Sequence, residues 1–214
     1  MLIGESPICE NCTFNVCDTY DSCTKSTKYA VGKWLGDGAD FTIVDTPGLG
    51  DSDDDVNEII GDILITLKDA IEGANGIMLL VNGEDERLDP SLVQMLMEMQ
   101  FLFGNFWKNT IIGVSFWAFD AASVADRNFT GKTEQWFLAE WNALLQEKLH
   151  LDMELQGVFI DAWSQSPWNV EDQEQQEAFE RETTKLWEFS SQNEMFQFRT
   201  IEDRDRKRLN KYPS

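Results

Sequence analysis

The sequence predicts an α/β fold, a three-layer sandwich in which helices cover a mostly parallel sheet. Short apolar segments, typical of strands, alternate with longer segments in which apolar residues recur every three or four positions, as on one helix face. This alternation requires crossover connections, which make successive strands parallel. With 42% hydrophobic residues among 214, the chain has enough apolar side chains for one domain of this kind.

The first two predicted strands form a hairpin. Residues 28–35 are rich in β-branched and aromatic side chains, a glycine-rich turn follows at 36–38, and residues 41–44 are a short, nearly all-apolar run. Three further strands are predicted at 77–81, 110–116 and 157–160. Helices are predicted at 56–72, from Pro90 to Gly104, from Thr133 to Leu149, and from 169 to 191, whereas residues 117–132 are expected to be irregular.

Charge and composition exclude several classes of protein. The chain has 17 Lys and Arg against 39 Asp and Glu, a formal net charge of −22, which repels nucleic acid and anionic lipid. No apolar run approaches the length of about 20 residues that a membrane span requires, and the first residues do not resemble a signal peptide. We therefore expect a cytoplasmic protein with no nucleic-acid partner and no transmembrane segment.

Four cysteines, Cys9, Cys12, Cys17 and Cys23, lie close together near the start of the chain. A zinc site or a disulfide is possible at this spacing. The irregular gaps and the distance in sequence to the one histidine, His150, favour free thiols in a loop.

The loop after the second predicted strand carries the clearest sign of chemistry. It begins Asp45-Thr46-Pro47-Gly48. A carboxylate at the end of a strand can hold a hydrated Mg²⁺, and a glycine three residues later lets a backbone N–H approach a phosphate. The alternative is a Pro-Gly turn that merely leaves the strand. An acidic loop and an amphipathic helix follow, and this context favours phosphate binding.

The run FTIVDTPGLGDSDDD resembles the switch II loop of GTPases, in particular that of the immunity-associated nucleotide-binding (IMAP-type) GTPases. Residues 21–25 resemble the switch I segment of that family, and residues 103–110 resemble its segment ahead of the fifth strand. The resemblance extends from Met1 to about Phe189. It implies a P-loop-NTPase-like (Ras-like) G domain over residues 1–191, followed by a basic C-terminal tail over residues 192–214.

The resemblance also implies a role for each matching residue. The Thr24 hydroxyl would bind Mg²⁺, Asp45 would hold the ion through water, and the Gly48 N–H would contact the γ-phosphate. Thr46 and Pro47 belong to the same nucleotide-binding loop. The implied cofactors are Mg²⁺ and GTP or GDP, and self-association through the face of the G domain is a further implication.

Several departures from the family pattern limit these expectations. The sequence contains no G-x-x-x-x-G-K-[ST], and Gly131-Lys132-Thr133 has Asp126 where the first glycine is required. In the family the phosphate loop and the first strand precede the position of Met1, so we expect a truncated domain. Such a chain would bind GTP feebly or not at all, and strands 41–44 and 77–81 would each have an unpaired edge.

The base-reading and catalytic positions differ from the family as well. Residues 115–118 occupy the place of the guanine-reading motif with Ala118 instead of Asp, and Asp120, two residues later, is the possible substitute. Leu49 stands where Ras-like enzymes have the glutamine that orients water, so any hydrolysis would be slow or assisted by a partner. Two functions follow: a guanine-nucleotide switch, or a nucleotide-free pseudo-GTPase that serves as a protein-interaction scaffold.

Overall fold

The computed structural model describes a large part of the chain, namely residues 14, 24, 26–34, 38–47, 61–63, 65, 73–84, 90–161 and 173–197. The chain divides into two compact units. The first comprises Met1–Gly73, Asp89–Gly104 and Gln197–Ser214, and the second comprises Ala74–Leu88 and Asn105–Phe196.

In the first unit, strands β1 (Lys28–Lys33) and β2 (Asp40–Asp45) form the predicted antiparallel hairpin. Lys33 lies opposite Asp40, and their side chains form an exposed ion pair of 2.8 Å. At the closed end the Trp34 ring meets the Phe41 ring edge-on, with 5.7 Å between centroids. The hairpin is thus closed by contacts between near neighbours in sequence.

The first unit also contains helical residues. Helix α1 (Pro90–Phe103) forms as predicted, and Gly104 ends it with a φ of 89°, a conformation that glycine adopts readily. Met95, Leu96 and Phe103 form its buried face. Of the helix predicted at 56–72, residues 61–63 and 65 are described and helical, and the remainder lies outside the described residues.

The second unit is built on a parallel sheet in the order β4 (Ile77–Asn82), β5 (Thr110–Ser115) and β6 (Gly157–Ile160). These three strands confirm the parallel sheet predicted from the sequence. β5 is central and buried along its first five residues, as expected for a strand covered on both faces. Two short strands that were not predicted, β3 (Gly73–Ala74) and β7 (Phe196–Gln197), pair with each other.

Three α-helices are described in the second unit: α2 (Ala121–Thr130), α3 (Glu134–Leu149) and α4 (Gln173–Gln192). A single 3₁₀ turn, Trp107–Asn109, precedes β5. α3 begins where predicted, because the Thr133 hydroxyl accepts a hydrogen bond from the Trp136 N–H. The prediction of an irregular segment at 117–132 was wrong over most of its length. α2 escaped detection because it has no buried residue and hence no apolar periodicity towards a core.

Aromatic side chains form the core of the second unit. Trp117 lies between Phe159 of β6 and Phe137 of α3, with ring centroids 4.7 and 5.4 Å away. Trp141 stacks on Phe137 at 6.1 Å, and Leu145 is fully buried on the same helix. Each such side chain contributes about 1.5–3 kcal/mol by leaving water, which fixes α3 against the sheet.

Among the described residues, β2 pairs only with β1, and β4 pairs only with β5. Each of the two strands therefore has one edge without a partner strand in the described part of the chain, and the expected truncation of the domain stays a prediction. On β4, Leu80 remains 60% exposed.

Candidate functional site

The structure brings together the two residues predicted to hold Mg²⁺. Thr24 Oγ1 donates a hydrogen bond of 2.9 Å to Asp45 Oδ2, although the residues are 21 positions apart. Asp45 is the last residue of β2 and lies opposite Lys28, the first residue of β1. The hairpin register therefore brings the chain just before β1 back to the end of β2. Both residues are half-buried.

The next residues of the DTPG loop are described only in part. Thr46 is exposed and Pro47 is buried, and both follow directly from the end of β2. Gly48 lies outside the described residues, so its contact with a γ-phosphate stays a prediction. The nucleotide-binding roles of Thr46 and Pro47 likewise stay predictions.

A second contact in this unit was missed by the sequence analysis. The Thr27 backbone N–H donates to Asp62 Oδ2 at 2.7 Å, which joins the residue before β1 to helical residues 61–63. The Thr27 hydroxyl is buried without a hydrogen-bond partner among the described residues. No sequence pattern could reveal this contact, because its donor is a backbone group and its partners are 35 positions apart.

The side chains at Thr24 and Asp45 fit a magnesium ion in their chemistry. Carboxylate and hydroxyl oxygens are hard ligands, and Mg²⁺ usually takes one or two protein oxygens and completes its shell with water and phosphate. Within the described ranges, no group of three or more His, Cys, Asp or Glu side chains could hold a metal ion. Thr24 and Asp45 would supply two protein oxygens to such an ion, and nucleotide-bound Mg²⁺ at this place stays a prediction.

Aromatic packing occupies the segment where the resemblance implies a guanine-reading motif. Trp117 is only 4% exposed, and the Arg127 guanidinium lies 4.6 Å from the centroid of its ring. The same guanidinium donates a hydrogen bond of 2.5 Å to the Ala118 carbonyl. Phe116, by contrast, is 71% exposed with a φ of 56°, a left-handed conformation that is costly for an aromatic residue.

Asp120, the possible substitute for the missing specificity residue, forms the N-cap of α2. Its Oδ1 accepts from the N–H groups of Ala122 and Ser123, both at 3.0 Å, and its Oδ2 accepts from the Ser123 hydroxyl. These bonds from Ser123 and Ala122 hold the pKa of Asp120 below its usual value, so the carboxylate is charged. A role in reading guanine stays a prediction for a side chain that already caps a helix.

The Gly131-Lys132-Thr133 segment connects two helices. Gly131 ends α2 with a φ of 75°, and the Thr133 hydroxyl caps α3. The ammonium of Lys132 lies 5.6 Å from the centre of the Trp136 ring. Gly131 and Thr133 thus have structural roles at the ends of two helices, and these roles explain their presence without a phosphate-binding loop.

A cavity of about 280 Å³ lies in the second unit, beside α4 and the beginnings of β5 and β6. Lys108, Lys185, Glu154 and Glu188 line it together with apolar side chains. Lys185 is bound to buried Glu182 at 2.7 Å. The cavity contains none of the predicted nucleotide-binding residues.

The four cysteines lie outside the described residues, so the prediction of free thiols is untested. No helix in the described part of the chain is both long and apolar enough to cross a membrane. Comparison with known proteins adds no identity: no protein-family model matches the chain, and no curated protein matches it.

Proposed function

We propose that this chain is a guanine-nucleotide switch protein of the IMAP-type G-domain class, in which Thr24 and Asp45 hold Mg²⁺ beside the terminal phosphate of GTP. One observation carries the proposal. The hydrogen bond of 2.9 Å from Thr24 to Asp45 joins the two segments that resemble switch I and switch II. Two residues picked from separate motifs are thereby within reach of one ion.

The chemistry of the two side chains explains how they would respond to a ligand. When bound, Mg²⁺ neutralises charge on the phosphates. The Thr24 hydroxyl donates its hydrogen to Asp45 and keeps two lone pairs, so its oxygen can bind a cation while that hydrogen bond persists. Loss of the terminal phosphate would remove the ion that Thr24 and Asp45 share and would release the two loops, which is the behaviour of a switch. Hydrolysis would be slow or assisted by a partner, because Leu49 cannot orient water. The proposed location is the cytoplasm.

The test is a titration of the full chain with fluorescent GTP and ATP analogues, in Mg²⁺ and in EDTA. We expect weak, saturable binding that requires Mg²⁺ and prefers GTP. Thr24→Ala and Asp45→Asn should each weaken it about tenfold or more, equivalent to about 1.4 kcal/mol. The matched control is Asp40→Asn, because Asp40 begins the same strand and is exposed.

Two results would contradict the proposal. One is equal binding by wild type, Thr24→Ala and Asp45→Asn, which would put any nucleotide elsewhere. The other is the absence of binding at millimolar nucleotide by a chain whose circular dichroism shows it to be folded.

That second result would favour a nucleotide-free interaction scaffold, which one observation independently supports. The segment after β5 is filled by Trp117, which packs on Phe159, and by Arg127, which lies over the Trp117 ring. If Asp120 serves only as the cap of α2, this segment offers no carboxylate to the guanine N1 and amino groups, and guanine then has no source of preference over adenine. A chain that retains the fold and has lost base recognition would act through its surfaces.

A further inference from the structure

Helix α2 has the reverse of the usual distribution of polar and apolar residues. Five apolar residues are all partly or largely exposed: Ala121, Ala122, Val124, Ala125 and Phe129. Phe129 is 90% exposed and Val124 is 37% exposed. Ala121, Ala125 and Phe129 follow one another at intervals of four, so they form one stripe along the helix. We call these five residues the apolar face of α2.

Polar contacts, rather than apolar burial, hold α2 in place. Asp120 caps its beginning, and Gly131 ends it in a left-handed conformation. Arg127 anchors its last turn by stacking on Trp117 at 4.6 Å and donating a hydrogen bond to the Ala118 carbonyl. The helix is therefore fixed by its polar residues, and its apolar face is exposed to solvent, as apolar patches at interaction sites are.

Electric charge limits what can cover this face. The chain carries a net charge of −22, which disfavours both a second copy of itself and an anionic membrane. Close to α2, Asp120, Asp126 and Glu134 all lie near enough to Arg127 to act on its pKa, opposing the lowering caused by burial. Asp126 is itself exposed on α2. Arg127 and Lys132 offset part of this local charge, and the strongly acidic charge of the whole chain makes a cationic partner the one that suits the apolar face.

The shape of the apolar face indicates the kind of segment. Alanines at two positions of the stripe leave room for another backbone to approach closely, and the exposed phenyl ring of Phe129 can enter an apolar surface. We infer that α2 is a docking site for a basic amphipathic helix of a partner protein. Phe129 and Val124 anchor its apolar side, and acidic residues such as Asp126 attract its basic side.

The test uses an 18-residue amphipathic helical peptide of leucine and lysine, with a peptide of the same composition in scrambled order as its control. Both peptides have the same composition and therefore the same charge. They differ only in residue order, which gives the first peptide a continuous apolar face. In about 0.15 M salt, which screens distant charges, the full chain should bind the amphipathic peptide about tenfold or more tightly than the scrambled one.

Substitutions then locate the binding site. Phe129→Ser and Val124→Ser should each weaken binding of the amphipathic peptide, Phe129→Ser by about tenfold. Val31→Ser is the matched control, because Val31 is 70% exposed on β1 of the other unit. Its affinity should equal that of wild type. The thermal unfolding temperature of Phe129→Ser should not change, because a side chain 90% exposed contributes little to stability.

Several results would overturn the inference. Equal affinity for the two peptides would show that charge alone causes the binding. Unchanged binding by Phe129→Ser would show that α2 is not part of the interface. Light scattering that shows a dimer dissociated by Phe129→Ser would assign the face to a second copy. Binding to phosphatidylcholine vesicles that Phe129→Ser abolishes would assign it to lipid. None of these outcomes depends on nucleotide binding at Thr24 and Asp45.

Discussion

The β1–β2 hairpin and the β4–β5–β6 sheet hold their strands together in different ways. In the hairpin, Val31 is 70% exposed and Tyr29 is 49% exposed, and the ring contact between Trp34 and Phe41 is local in sequence. In the parallel sheet, Ile112 and Val114 of β5 are completely buried, and the strand lies between two others. Local pairing maintains the hairpin, whereas distant apolar contacts maintain the sheet.

The two regions also differ in what their candidate site residues contact. Thr24 and Asp45, the proposed Mg²⁺ ligands, contact each other at the end of the hairpin, and both are only half-buried. In the sheet unit, residues that resemble a binding motif in sequence serve folding instead: Asp120 caps a helix and Trp117 fills the core. Substitutions in the two regions should therefore differ in size.

The largest effect is expected in the core of the sheet unit. Phe137→Ala removes a ring that is 2% exposed and contacts Trp117, Trp141 and Phe159, so we expect a loss of about 3–5 kcal/mol in the free energy of unfolding. Val31→Ala, at an exposed hairpin position, should cost less than about 0.5 kcal/mol. Urea denaturation followed by tryptophan fluorescence measures both. Similar losses for the two variants would show that the hairpin is as densely packed as the sheet.

A somewhat smaller effect is expected at Glu182 on α4. Its buried carboxylate accepts from the Phe159 N–H at 3.1 Å, from Arg181 Nε at 2.9 Å and from Lys185 Nζ at 2.7 Å. Glu182→Ala leaves the buried N–H of β6 without an acceptor and should cost about 2–3 kcal/mol.

The conservative variant distinguishes the possible origins of that loss. Glu182→Gln retains an oxygen for the Phe159 N–H and loses only the charge, so it should be less destabilising than Glu182→Ala in the same urea experiment. Equal losses would mean that the ion pairs with two half-exposed cations, rather than the bond to β6, provide the stability.

A still smaller effect is expected at the N-cap of α2. Asp120→Ala removes the acceptor for two backbone N–H groups and should cost about 1 kcal/mol at neutral pH. Because Ser123 and Ala122 hold the pKa of Asp120 low in the folded chain, its stabilisation is complete above the ordinary carboxyl pKa near 3.8 and disappears as the pH falls through the lower folded pKa.

Urea denaturation near pH 7 and near pH 2.5 checks the sign of this dependence. The difference between wild type and Asp120→Ala should shrink at the acidic pH. Asp126→Ala, an exposed position within the same helix, is the control and should show neither the loss nor the pH dependence. If the difference in the free energy of unfolding were larger at the acidic pH, the charged Asp120 carboxylate would not be the form that stabilises α2.

A loss of stability no larger than that at the α2 cap is expected at the candidate site. Thr24→Val keeps the shape of the side chain and loses the donor to Asp45, so the free energy of unfolding should fall by no more than about 1 kcal/mol. Mg²⁺-dependent nucleotide binding should nevertheless be lost, because valine has no oxygen for the ion. A stability loss comparable to that of Phe137→Ala would make the Thr24–Asp45 bond a structural element of the hairpin.

Much of the fold could be predicted because its signals are local. The turn at Gly38 and the β-branched strands around it predicted the hairpin, and the capping threonine with its following apolar residues predicted α3. The predicted neighbours Thr24 and Asp45 are indeed in contact. Helix α2 was missed because its apolar residues face solvent, and the Asp62 contact was missed because a backbone N–H has no signature in sequence.

The sequence by itself determined the order of most strands and helices, the acidic charge and the residue types of the DTPG loop, since each depends on neighbours along the chain. Tertiary structure alone decided that Arg127 lies over Trp117 and that Phe129 faces solvent. Each of these outcomes depends on which side chains of other elements pack against α2. These contacts form only when the whole chain folds, so no local stretch of sequence specifies them.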